Sequence, residues 1–190
     1  SHELCYAVSD YPDREFTFGG TLISNGDIGY EGNQEPHNMM GNNHGGMVKA
    51  NGQWYIFYHR QTHGTESSRQ GCAEKITIQE DGSIKQVEMT SCGLNKGGLS
   101  DKGTYPAAIA CNLMGKDSIG KITYGASLKD TQPYIFEENN DLHYIANIGD
   151  GVVVGYKYFA VEKLSKVVRC LRGDAEGEIA DQRYKFISNV

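Results

Sequence analysis

The 190-residue chain is short of several things, and each shortage excludes a class of protein. It carries 18 Lys and Arg against 24 Asp and Glu, a formal charge of −6 with no basic stripe. A nucleic-acid surface needs clustered cations to neutralise phosphates, so no nucleic-acid partner is expected. No apolar run approaches the length of a bilayer span, so no membrane partner is expected either. The five cysteines (Cys5, Cys72, Cys92, Cys111 and Cys170) are odd in number, widely separated and lack a Cys-x-x-Cys pair. They make a poor disulfide framework and a poor zinc site, and buried free thiols are the expectation. Four prolines and one tryptophan complete the deficits.

Glycine and tyrosine are abundant, at 24 and 12 residues. With no convincing long helical pattern, that composition predicts many short strands and tight turns. Residues 47–50 and 53–60 form a predicted hairpin across Asn51-Gly52, a dipeptide that favours the turn between paired strands. A second hairpin is expected from 72–79 and 83–88 around Glu80-Asp81-Gly82. Residues 4–9 and 15–20 supply two earlier strands. Residues 24–46 are too polar and too long to be an element. Residues 95–104, rich in glycine and charge, are the predicted linker between parts 1–94 and 105–190. Beyond it, 143–148 and 152–159 alternate across Gly149-Asp150-Gly151. Further strands are expected at 166–172 and 178–186, with a short turn at 162–165.

The most informative motif is Gly41-Asn42-Asn43-His44-Gly45-Gly46, followed by Gln53-Trp54-Tyr55-Ile56-Phe57-Tyr58-His59-Arg60. It presents a histidine from a glycine-bracketed turn at a strand end, where an imidazole can hydrogen-bond a hydroxyl, ligate a metal or carry a proton. Together with residues 2–12, Phe16-Thr17-Phe18-Gly19-Gly20, Ser68-Arg69-Gln70-Gly71-Cys72-Ala73-Glu74, Asp81-Gly82-Ser83-Ile84 and Val87-Glu88-Met89-Thr90, this pattern resembles glycoside hydrolase family 43. That family comprises five-bladed β-propeller arabinofuranosidases, xylosidases and arabinanases. Residues 103–107 through 155–159 resemble the start of a family 6-like carbohydrate-binding β-sandwich. The resemblance implies an all-β chain: the last blade or so of a partial propeller, then an incomplete sandwich.

What the resemblance implies about chemistry is partial. Inverting glycosidases flank the sugar with two carboxyl groups about 6.5–9.5 Å apart. The resembled enzymes use an aspartate base, a tuning aspartate and a glutamate acid, and no residue here matches any of the three. Asp27, Glu31 and Glu35, in the loop leading to His44, read as solvated loop charges or as acids near the sugar, and Glu74 as an inward polar residue or ion-pair partner. His44, Asn43 and Arg69 are carried over as substrate-binding residues, with pairing to a neighbouring acid as the other reading of Arg69. His44 is also the metal candidate, matching a histidine near a calcium ion held largely through water. Asn42 and Asn43 also read as holders of the turn. Trp54 is expected to pack between strands, and His59 and His63 to flank a strand end.

The implied partner is a plant hemicellulose or pectin, which the charge of the chain permits. The implied activity is that of an arabinofuranosidase or xylosidase without independent catalysis. The alternatives are a non-catalytic carbohydrate-binding module and a hydrolase whose site is shared between chains. Unprotected blade edges imply self-association or a complementary upstream fragment. An intact form is expected to be secreted or periplasmic.

Overall fold

A computed structural model describes residues 2–63, 67–116, 132–139, 142–161 and 166–171. Among them the chain is all-β, with two three-residue 3-10 turns at Tyr30–Gly32 and Ala107–Ile109 and no helix able to cross a membrane. Strand β1 (Glu3–Val8) pairs antiparallel with β2 (Thr17–Ser24). Strands β3 (Gly45–Ala50), β4 (Gln53–Gln61) and β5 (Arg69–Ile76) form an antiparallel three-stranded sheet. The β3–β4 hairpin forms across Asn51-Gly52 as the sequence requires, with φ values of 49° and 82° in the left-handed region.

Period-two alternation decides what each face of the second sheet does. Ile56, Tyr58 and Arg60 on β4 point inward with Cys72, Glu74 and Ile76 across the ladder. Leu22 and Ile23 of β2 meet them, and Leu4, Tyr6 and Trp54 pack at the margin, so the first core lies between the two sheets. The opposite faces stay open. Phe57 is 41 % exposed and Phe18 is 71 % exposed.

The second predicted hairpin is reduced to one bridge, Ile78 to Ile84. Its turn closes through Gln79 N–H to the Ser83 carbonyl at 2.8 Å. The ladder then stops, because Val87 N–H bonds to Leu22 O at 2.9 Å and Met89 N–H to Asp27 Oδ1 at 2.7 Å. Long-range partners win over the neighbouring strand.

The later strands are short: β6 (Leu99–Ser100), β7 (Asn112–Met114), β8 (Tyr134–Asn139), β9 (Leu142–Ala146), β10 (Val153–Gly155) and β11 (Phe159–Ala160). The expected pairing of 143–148 with 152–159 is not made. The Gly149–Val152 turn closes, but β9 pairs with β8 and β10 with β7. Ile145 is drawn to Ile135, and Val154 to Leu113, around a second small core that includes Ala108 and Ala110. Residues 166–171 are exposed and form no strand. The expectations for 162–165 and 178–186 lie outside the described residues. All five cysteines are free, but Cys5 and Cys170 are exposed rather than buried.

Candidate functional site: the His44–His59–Arg69 strand end

The turn before β3 is held from within. Asn43 is buried; its amide donates to Asn25 Oδ1 at 3.1 Å, and its Oδ1 accepts from His59 N–H at 3.4 Å. Asn43 is thereby committed to the turn instead of being presented to a ligand. Gly45 is required by close approach, since a Cβ there would stand 2.0 Å from the Phe57 carbonyl oxygen. With the turn pressed onto β4, His44 emerges exposed beside His59. Their rings stack at 5.4 Å between centroids, inclined by 26°.

Hydrogen bonding fixes the state of His59. The His44 backbone N–H donates to His59 Nδ1 at 3.3 Å, so that nitrogen carries no proton. The proton then sits on Nε2, which donates to Asn42 Oδ1 at 3.2 Å. Burial, then the positive charge of Arg69, then His44, push the His59 pKa below its ordinary value. The ring is a neutral prop against which His44 rests. Arg69 opens β5 opposite Gln61, on the same face as His59, and is exposed. An exposed imidazole and an exposed guanidinium thus share one sheet end. Such a pair can bind hydroxyl or carboxylate oxygens but does not make a general acid and base.

His63 is spent elsewhere. Its Nδ1 donates to the Ile135 carbonyl at 3.3 Å, and its Nε2 accepts from Ser68 Oγ at 2.8 Å. Trp54 is partly buried against the first core, as its alternation predicts.

The carboxylates divide sharply. Glu31 and Glu35 are exposed loop charges. Asp27 is not: it is 2 % exposed, and its Oδ2 lies 3.0 Å from Lys157 Nζ. The solvated reading of Asp27 is therefore corrected, because a distant lysine draws it inward. Lys157 Nζ also reaches Glu88 Oε1 at 2.7 Å, and Tyr158 OH donates to Glu88 Oε2. Burial raises the Asp27 pKa, while Lys157 opposes the rise.

Glu74 is buried and accepts from Thr90 N–H at 2.6 Å, Thr90 Oγ1 at 2.7 Å and Tyr58 OH at 3.4 Å. Burial nonetheless lifts its pKa to about 7. Glu74 and Glu88 line one open pocket of about 220 Å³ with Thr90, Cys92 and Asn95. Sequence reasoning missed Lys157, Glu88 and the buried Arg60. The one available signal was a charged residue at an inward position of β4, where Arg60 follows Ile56 and Tyr58.

Calcium takes six to eight oxygen ligands. Among the described residues no group of three or more His, Cys, Asp or Glu side chains could hold a metal ion. At this turn His44 supplies a single imidazole, while Asn42 and Asn43 hold the turn.

An all-β protein with an imidazole and a guanidinium exposed at one sheet end is the class that the fold and site define. Within it, the chain resembles glycoside hydrolase family 43, as its motifs indicate. No protein-family model matches it. It is 47 % identical over 184 residues to a xylosidase/arabinosidase of Thermoclostridium stercorarium, a match covering 93 % of this chain and 39 % of that protein. It is 30 % identical over 112 residues to an arabinoxylan arabinofuranohydrolase of Paenibacillus polymyxa, covering 54 % of this chain and 16 % of that protein. A family 43 β-xylosidase/α-arabinofuranosidase from a compost microbial metagenome, in complex with xylotriose and in a calcium-free form, is 28 % identical. That structural match covers 45 % of this chain and 23 % of that chain, with a TM-score of 0.36. The chain therefore spans about two-fifths of the Thermoclostridium relative and less of the other two.

Proposed function

We propose that the chain forms part of a xylosidase/arabinofuranosidase acting on plant hemicellulose or pectin, and that it supplies one rim of the sugar site. His44 and Arg69 face the sugar, with His59, Asn42 and Asn43 holding them in place. The observation that carries this reading is the pairing of an exposed imidazole and an exposed guanidinium on one sheet end. It lies in a chain 47 % identical to a xylosidase/arabinosidase. The β1–β2 and β3–β4–β5 sheets, packed face to face with their outer faces open, support a partial propeller within residues 1–94. Residues 105–190 then begin the accessory sandwich.

Catalysis does not belong to this chain alone. Among the described residues the buried carboxylates are tied up, Asp27 and Glu88 by Lys157 and Glu74 by Thr90. The test is sugar release from aryl α-L-arabinofuranoside and aryl β-D-xyloside by the purified chain, with a His44→Ala preparation alongside. No turnover is expected. Turnover that vanishes in His44→Ala would overturn the reading and mean that the site is complete.

The open faces around Phe18 and Phe57 support a second element of the proposal, pairing with another copy or with a complementary fragment. A clean monomer in sedimentation at micromolar concentration would contradict it.

A further inference from the structure

Residues 95–104 have the composition of a linker, yet the structure builds them into the fold. Leu99 is buried, and its N–H donates to the Tyr158 carbonyl at 2.7 Å. It pairs in parallel with Phe159. A Cβ on Gly98 would stand 2.9 Å from the backbone nitrogen of Ala160, so the two segments touch main chain to main chain.

The stretch just before, residues 88–92, grips both sides. Toward the first core, Met89 N–H donates to Asp27 and Thr90 donates twice to Glu74. Toward the later chain, Glu88 holds Lys157 and Tyr158 through both carboxylate oxygens. Ser91 exchanges hydrogen bonds with the Lys157 backbone, and Cys92 Sγ accepts from Tyr158 N–H at 3.3 Å. Lys157 then passes the strap altogether and meets Asp27 directly. Its ammonium is largely buried between two carboxylates, and removing it would strand two acids in a dry site.

Other bonds reinforce the join. Arg60 Nη2 donates to Ala108 O at 3.0 Å, and Asn38 donates to Cys111 O at 3.0 Å. Leu113 N–H reaches His37 O at 2.9 Å, and Ile135 N–H reaches Thr62 O at 2.9 Å.

We propose that residues 88–92 and Lys157 form a clasp that fixes the second core to the first as one folding unit. The second core is then held at a set position relative to the His44–Arg69 end and does not swing on a linker. This inference does not depend on the sugar-site reading, since it concerns only how the two cores are joined.

Limited trypsinolysis at Lys96 and Lys102 tests it, because both side chains are exposed and only the backbone's order protects them. The intact chain should be cut there on the order of a hundredfold more slowly than a synthetic 90–107 peptide, and should melt in a single calorimetric transition. Lys157→Met should speed cleavage at Lys96 and Lys102 at least about tenfold, and Glu88→Gln severalfold. Cleavage of the intact chain at the peptide's rate, or two independent melting transitions, would overturn the proposal. If Lys157→Met does not fold, the milder Glu88→Gln decides, and an unchanged cleavage rate in that variant overturns it.

Discussion

The sheet end at His44 and the charged knot at Lys157 are built on opposite terms. The sheet end is exposed, its supporting His59 is held in one tautomer by two hydrogen bonds, and its parts lie within a short span of sequence. The knot is buried, carries several formal charges, and ties Asp27 to a lysine 130 residues away. The sheet end proposed to meet a sugar is held lightly and left open. What holds the chain together is dry, charged and assembled from afar. A buried ion pair adds little net stability when intact, yet its disruption is costly, so the two regions should respond to mutation on different scales.

The largest expected effect comes from breaking the knot. Lys157→Met should lower unfolding stability by roughly 3–5 kcal/mol in urea titrations, because Asp27 and Glu88 remain buried without a cation. Adding Asp27→Asn and Glu88→Gln to that variant should recover much of the loss. A second steric test falls at the sheet end itself. Gly45→Val should cost about 1–3 kcal/mol by the same measurement, since its side chain must displace the Phe57 backbone.

Glu74 sharpens the contrast through pH. Its folded pKa of about 7 lies above its unfolded value of 4.5. The stability it contributes is therefore fully present below about pH 4.5 and is lost as the pH rises through 7. The chain should be less stable at pH 8 than at pH 5 by on the order of 2–3 kcal/mol from this group, with Asp27 acting in the same direction. Glu74→Gln keeps an acceptor for Thr90 N–H and should flatten that slope. Thermal melts across this range check it.

The smallest effect is at His59. Its imidazole should titrate below the ordinary histidine range by NMR, and Arg69→Ala should move it back upward with little change in stability.

Legibility in the sequence followed the range of the interaction. The Asn51-Gly52 hairpin, the packing of Trp54 and the His44 turn were all readable, because a few adjacent residues determine them. The 72–88 hairpin and the 143–159 hairpin were misread for one shared reason. Each has a good local turn, but Val87 and Met89 are claimed by Leu22 and Asp27, and β9 and β10 by β8 and β7. Asp27 looked like a loop charge because nothing near it in sequence neutralises it. Tertiary context overrode local pattern in each case.

The most direct measurement for the sugar-site account is a titration of the chain with xylotriose, followed through the imidazole resonances of its histidines. The expected result is a saturable shift at His44 and His59, little change at His63, and loss of the shift in Arg69→Ala. Saturable shifts that leave His44 and His59 unmoved, or that survive Arg69→Ala unchanged, would contradict the account and place sugar recognition elsewhere on the chain.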